Sequence, residues 1–239
     1  MARMLKVEEL KAIQQKPKGL TRADEQVITV KLPSKGKHGY SDVVHLRPLK
    51  VKDVKALVED PIEGELDYMR RLVQVMQNTV LDEGFYVHEM TIPDFRKILV
   101  AHRVNSIGKD IDLTFRCTCR DEVQLIRFDL MKLEEKEIAE DYVEPVQVGG
   151  IQLRFPRVWG YLPEGKASFD DVNDYDVLKS VVMGKEVDEL LLSEAKAALE
   201  FVRKWENSYG VQTEVELPCR YCQKKVIVPI PFFLLISLW

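Results

Sequence analysis

The chain has 239 residues, and its 35 basic and 39 acidic residues give a formal net charge of −4. This balance excludes a nucleic-acid binder with a uniformly basic surface. The length suits one hydrophobic core with a smaller subdomain. The longest apolar run, PIPFFLLISLW, is shorter than the roughly 20 residues that a membrane-spanning helix needs. The N-terminus lacks the pattern of an export signal, so we expect the cysteines to remain thiols.

The first half of the chain predicts a hairpin followed by three helices. Residues 1–25 are expected to form an arm or a short helix. Alternation and β-branched residues in QVITVKLP and DVVHLRPLK predict two paired strands. A helical period follows in VKDVKALVED, with Val51, Val54, Leu57 and Val58 on one stripe, and again in ELDYMRRLVQVMQNTV. TIPDFRKILVAHRVNSIG predicts a third helix, which begins after Thr91 and ends near Gly108.

The second half returns to strands around one long helix. KDIDLTFRC and VQLIRFDL predict strands, LMKLEEKEIAEDY predicts a short acidic helix, and EPVQVGGIQLRFPRV predicts a hairpin that turns at Gly149 and Gly150. FDDVNDYD is loop-like, whereas KEVDELLLSEAKAALEFVRKWENSYG has the strongest helical pattern in the chain.

These elements predict an α+β fold, with a small antiparallel sheet and hairpins covered by several helices. We expect the α+β domain to span residues 26–230, with an inserted helical part around 160–210 and an apolar tail over 231–239.

The four cysteines form two pairs about 100 residues apart, Cys117-x-Cys119 and Cys219-x-x-Cys222, each between two predicted strands. Residues two apart on a strand point to one face, so Cys117 and Cys119 can present their sulfurs together. Zinc prefers four such ligands in a tetrahedron, and four thiolates leave no open position for chemistry. The pattern therefore predicts a zinc-ribbon-like pair of hairpins with a structural zinc ion.

Two other interpretations of the cysteines remain open. The thiols can be simply reduced, without a metal. A redox role for Cys219 and Cys222 is disfavoured, because that motif normally precedes a helix and QKKVIVPIP predicts a strand.

No pattern in the sequence favours an enzyme. The histidines His38, His45, His88 and His102 show no metal-binding spacing, and the phosphate-binding and nucleophile motifs are absent. The alternative function is a zinc-ribbon nucleic-acid binder, because basic and aromatic residues flank the cysteines: Arg116, Arg120, Arg127, Arg220, Lys224 and Lys225, with Phe115, Phe128 and Tyr221. Asp121 and Glu122 dilute this positive charge.

The order of these elements resembles the baseplate hub assembly proteins of T-even-like contractile-tailed bacteriophages. The resemblance covers roughly residues 26–230 and lies in RPLKVKDVKAL, which enters a helix from a strand, and in LVAHRVNSIGKDI, which precedes the first cysteine strand. The one-residue spacer of the first cysteine pair departs from the usual two.

The resemblance implies a non-enzymatic tail protein that helps to build the baseplate hub, as a subunit or as a chaperone, in the host cytoplasm or in the virion tail. Its partners would be other baseplate or hub proteins, with no membrane. The apolar C-terminal residues either pack on the chain itself or contact another subunit. In the second case we expect the contacts at Phe232, Phe233, Leu235 and Trp239, because aromatic anchors dominate interfaces, with the helix from Lys185 to Ser208 as a second surface.

Overall fold

The computed structural model describes residues 26–59, 61–205 and 208–231. The helices in this part of the chain are α1 (Val51–Val58), α2 (Glu65–Thr79), α3 (Ile92–Ser106), α4 (Asp174–Val181) and α5 (Leu192–Trp205). The strands are β1 (Ile28–Lys31), β2 (Val43–Leu46), β3 (Asp110–Cys117), β4 (Arg120–Asp129), β5 (Glu135–Lys136), β6 (Val146–Val148), β7 (Ile151–Leu153), β8 (Val182–Met183), β9 (Gly210–Val211), β10 (Glu214–Pro218) and β11 (Lys225–Pro229). The predicted α+β class is confirmed.

All strand pairs are antiparallel. β1 pairs with β2, β3 with β4, and β10 with β11, as the alternating patterns predicted. The predicted turn at Gly149 and Gly150, both with positive φ, joins β6 to β7, and β8 extends this pair to three strands. Each sheet is small, so helices and neighbouring hairpins must cover its apolar face.

The largest core lies between α2, α3 and the hairpins β1–β2, β3–β4 and β10–β11. The predicted stripe of α2 is buried: Leu66, Met69, Leu72, Val73 and Met76. Helix α3 begins after Thr91, with Pro93 in its first turn, as predicted. Its buried residues include Phe95, Ile98 and Leu99, and they place α3 at the centre of the core.

Helix α1 differs from its predicted packing. Leu57 is buried, but Val51 is 86% exposed and Val58 is 64% exposed. The helix is attached instead by a buried carboxylate, because Asp53 accepts two hydrogen bonds from the guanidinium of Arg47, at 2.6 and 2.9 Å. Asp53 and Leu57 are thus the two buried side chains through which this short helix is attached.

A second cluster of buried residues lies between α4, α5 and the sheet β6–β7–β8. Helix α4 lies partly in the segment predicted to be a loop, and Asn173 caps it by accepting a hydrogen bond from the backbone of Asp176 at 3.1 Å. Helix α5 begins at Leu192 rather than near Lys185, because Val187–Glu189 forms a separate 3-10 turn.

The predicted acidic helix in LMKLEEKEIAEDY is wrong. Leu130–Lys132 forms one 3-10 turn, and Glu135–Lys136 then pairs as β5 with β9. Like charges three or four residues apart, such as Glu134 with Glu137 and Glu137 with Asp141, weaken a helix, whereas β9 offers backbone partners from a distant part of the chain. No helix in residues 26–59, 61–205 or 208–231 is long and apolar enough to cross a membrane.

A buried polar network joins the loop after β1 to residues from both halves of the chain. His38 lies between Glu144 and Tyr209, with its two ring nitrogens 2.8 Å from the carboxylate and from the phenol oxygen. Arg157 donates to Glu144 at 2.7 Å, and Tyr209 lies 2.7 Å from the hydroxyl of Thr91. Burial opposes ionisation of Glu144, but the hydrogen bond from His38 and the charge of Arg157 lower its pKa.

Candidate metal centre

The first cysteine pair lies in the turn between β3 and β4. Cys117 is the last residue of β3 and pairs with Arg120, so Thr118 and Cys119 form the turn itself. The expectation that both cysteines lie on one strand is therefore wrong, because β3 ends at Cys117. The register between β3 and β4 also shifts by two residues between Arg116 and Cys117. This β-bulge shapes the end of the hairpin that carries the sulfurs.

The second pair lies in the turn between β10 and β11. Cys219 follows β10, and its amide donates to the carbonyl of Lys224 at 2.9 Å. Its own carbonyl accepts from Gln223, whose φ is 60°. This tight turn also directs the amide of Tyr221 at the Cys219 sulfur, 3.4 Å away. Backbone amides that point at a sulfur favour its thiolate form, which is the form that binds a metal.

The two turns meet and bring the four sulfurs into one group. All four lie within 4.8 Å of one another. The sulfurs of Cys117 and Cys222 are 3.7 Å apart, and those of Cys119 and Cys219 are 3.6 Å apart, so each close pair joins the two hairpins. Four sulfurs at about 2.3 Å from one zinc ion would be about 3.8 Å from each other. The cysteine centre, which is the group of these four residues, therefore fits a tetrahedral zinc ion.

Gln124 supports the cysteine centre, and sequence reasoning missed it. Its side chain is 3% exposed on β4. The amide nitrogen donates to the Cys219 sulfur at 3.3 Å, and the amide oxygen accepts from the backbone of Arg220 at 3.0 Å. Gln124 of the first hairpin thus hydrogen-bonds to both a sulfur and a backbone amide of the second hairpin. The only sequence signal of this role was a polar residue among apolar ones on the inward face of β4.

The surroundings give the sulfurs different acidities. The backbone amide of Cys222 and that of Tyr221, with the amide of Gln124, lower the pKa of Cys219 to about 6. Desolvation and the neighbouring thiols raise the pKa of Cys119 to about 12. Cys219 is therefore more readily a thiolate than Cys119, and a bound divalent ion would require the thiolate form of its cysteine ligands.

Charged residues around the cysteine centre are mostly paired. Arg116 contacts Asp121 at 2.6 Å, and Arg220 contacts Glu122 at 2.6 Å. The guanidinium groups of Arg120 and Arg220 both lie over the ring of Tyr221, at 4.4 and 4.6 Å from its centroid. These ion pairs offset part of the positive charge at the rim of the centre, and the ring of Tyr221 already has cationic neighbours.

Comparison with known proteins identifies the family. A family model described as T4 bacteriophage base plate protein matches residues 25–175, more than half of the chain. The chain belongs to this family. It is a phage tail baseplate protein. No curated protein and no solved structure gives a significant match. The matched segment of the baseplate protein contains Cys117, Cys119 and Gln124, whereas Cys219 and Cys222 lie beyond it.

The other predicted site residues are placed differently. The expected partner contacts Phe232, Phe233, Leu235 and Trp239 lie outside the described residues. His38 and His102 are buried, and His45 and His88 each contact a neighbouring carboxylate. Within residues 26–59, 61–205 and 208–231, the cysteine centre is the one group of three or more His, Cys, Asp or Glu residues that can hold a metal ion.

Proposed function

We propose that this baseplate protein is a hub subunit or a hub-assembly chaperone that acts through protein contacts without catalysis. In this proposal a zinc ion cross-links its two cysteine hairpins. The family match supports the tail role, and the convergence of four sulfurs within 4.8 Å is the observation that supports the zinc cross-link. The convergence joins a hairpin inside the family segment to one outside it. A scaffold that other subunits contact needs such a fixed geometry.

The zinc ion has a structural role in this proposal. Four thiolates fill its tetrahedron and leave no position for water or substrate. The ion would join two hairpins that are separated by about 100 residues and that each form only a two-stranded sheet. Since isolated two-stranded sheets are marginally stable in water, the bound ion contributes directly to the stability of this end of the molecule.

Apolar residues supply the partner contacts. The C-terminal Phe232, Phe233, Leu235 and Trp239 remain the first proposed contact. The second is the start of α5, where Leu191 is 65% exposed and Leu192 is 91% exposed. Adjacent exposed leucines suit a protein interface.

The contacts around Tyr221 weigh against the nucleic-acid alternative. Base stacking needs a free ring face, but Arg120 and Arg220 already lie over this ring. Lys225 pairs with Glu216, and Arg127 pairs with Asp112. These pairs reduce the positive charge available to phosphates, so we expect no salt-sensitive retention of DNA or RNA.

The test is to express the tagged full-length protein with the other tail proteins of its phage and to isolate the complexes. We expect it to co-purify with a hub component and to contain one zinc ion per chain. Retention in mature particles indicates a subunit, and its loss after assembly indicates a chaperone. A protein that binds no tail component would contradict the hub assignment, whereas a complex without zinc would contradict only the cross-linking role.

A further inference from the structure

Strand β4 has two faces with different surroundings. The side chains of Glu122 and Gln124 face the second cysteine hairpin, where they contact Arg220 and Cys219. The alternate residues are exposed on the opposite face: Asp121, Val123, Leu125 and Arg127. Only the first of these faces is explained by the cysteine centre. The outer face carries an apolar pair, with Val123 50% exposed and Leu125 66% exposed.

Among the described residues, one edge of β4 has no partner strand. In the part of the chain that the structure describes, β4 pairs only with β3, and the two form a two-stranded sheet. With ten residues, β4 is also longer than the other described strands. A long edge strand with exposed apolar residues is a template for pairing with another strand.

Along the outer face of β4 the residues are Asp121, Val123, Leu125 and Arg127. When a second copy of this strand runs in the opposite direction, acidic residues can face basic ones and apolar residues can face apolar ones. If two β4 strands pair antiparallel about Gln124, Val123 of one copy lies opposite Leu125 of the other. Asp121 then lies opposite Arg127 at both ends of the apolar centre. Opposite residues in such a pair share a face and interact directly. A register shifted by two residues, about Leu125, would instead place Asp121 opposite Asp129.

We propose that β4 is the interface for a second copy of this chain. Two copies form one continuous antiparallel sheet in the order β3–β4–β4–β3, with a twofold axis at Gln124. The interface is isologous, so each copy contributes the same face. The symmetric placement of Asp121 and Arg127 around the apolar pair is the reason to choose a second copy as the partner. Binding to an unrelated protein would not require this symmetry. The proposal goes beyond the hub role and does not depend on it.

The intrachain ion pairs make a compensating test possible. Asp121 contacts Arg116 of its own chain, and Arg127 contacts Asp112. The single variants Asp121→Arg and Arg127→Asp break these contacts and also place like charges opposite each other between copies. The double variant Asp121→Arg/Arg127→Asp breaks the same intrachain contacts but restores opposite charges between copies. Only an interface between copies predicts recovery in the double variant.

The measurement is sedimentation velocity of the full-length protein over a wide range of concentration. We expect a dimer, weakened about tenfold or more by each single variant and restored in the double variant. Arg203→Asp on α5 is a control for charge, and Leu125→Asp should abolish the dimer. Circular dichroism checks that each variant is folded. A wild-type monomer, a dimer insensitive to the single variants, or no recovery in the double variant would overturn the proposal.

Discussion

The cysteine centre and the buried polar network both join segments that are far apart in the chain, but by different means. The cysteine centre joins the ends of two hairpins at the edge of the core, and Cys119 within it is exposed. The polar network lies inside, where the at least partly buried side chains of His38, Glu144, Arg157 and Tyr209 are linked by hydrogen bonds. Nη1 of Arg157 has no hydrogen-bond partner among the described residues. The first site has the geometry to be held together by an added ion, whereas the second is held together by the chain's own side chains.

This difference predicts how each region fails. Loss of the ion should loosen the cysteine ends of the two hairpins first, because their apolar residues still pack with α2 and α3 in the main core. Loss of one charge in the network should destabilise the whole fold, because the partner charge stays buried. The predictions below follow in order of decreasing effect.

The largest effect is expected for Cys219→Ser/Cys222→Ser, which removes two of the four zinc ligands. Loss of a structural metal is among the most destabilising changes, and here we expect it to lower chiefly the free energy of local opening of the cysteine hairpins. Hydrogen exchange should become faster in β10 and β11 and stay slow in β1 and β2. Thr118→Ala is the matched control, since it alters the turn but no ligand. Uniformly faster exchange across all strands would contradict separate roles for the two regions.

The second effect concerns the polar network. Glu144→Gln leaves Arg157 buried without its carboxylate, and we expect a loss of about 3 to 5 kcal/mol in the free energy of unfolding. Urea unfolding measures this loss, and the zinc content should be unchanged. Glu216→Gln breaks the exposed contact with Lys225 and should cost far less, because solvent screens exposed ion pairs. Equal costs for the two variants would show that burial does not matter here.

The third effect is a pH dependence from a buried histidine outside both regions. Burial and the charge of Arg47 lower the pKa of His102 from 6.5 to about 4. The unfolded chain therefore takes up a proton at a higher pH than the folded chain. Stability is full above pH 6.5 and is lost as the pH falls towards 4, by about 3 kcal/mol in total.

Urea unfolding of the zinc-free protein across this pH range checks the prediction, because removal of zinc separates His102 from the cysteines. His102→Gln should flatten the dependence, whereas the control His88→Gln should preserve it. A slope that survives in His102→Gln would assign the acid response to other groups.

The smallest expected effect is on metal affinity and tests the role of Gln124. Gln124→Met keeps the volume but removes the hydrogen bond to the Cys219 sulfur. Such supporting contacts are worth about 10- to 100-fold in metal affinity. Competition with a coloured chelator measures the affinity, and Gln152→Met on the exposed face of β7 is the control. Unchanged affinity in Gln124→Met would leave the backbone amides as the only support of the sulfur.

The sequence predicted the cysteine centre far better than the polar network, and the reason is chemical. Two close pairs of a rare residue between alternating strands have few explanations. His38, Glu144 and Tyr209 have no shared spacing, so only the folded chain brings them together. The same limit applies to β5, whose partner Gly210–Val211 lies far away in the sequence. The helices α2 and α3 were predictable because their periodic stripes are local, whereas α4 is short and lies in a segment rich in aspartate.

The central claim is that one zinc ion joins the two cysteine hairpins, and X-ray absorption at the zinc edge of the purified full-length protein tests it most directly. We expect one zinc ion per chain with four sulfur ligands at about 2.3 Å. A protein that purifies without zinc, or zinc bound by nitrogen and oxygen in place of the thiolates, would contradict it.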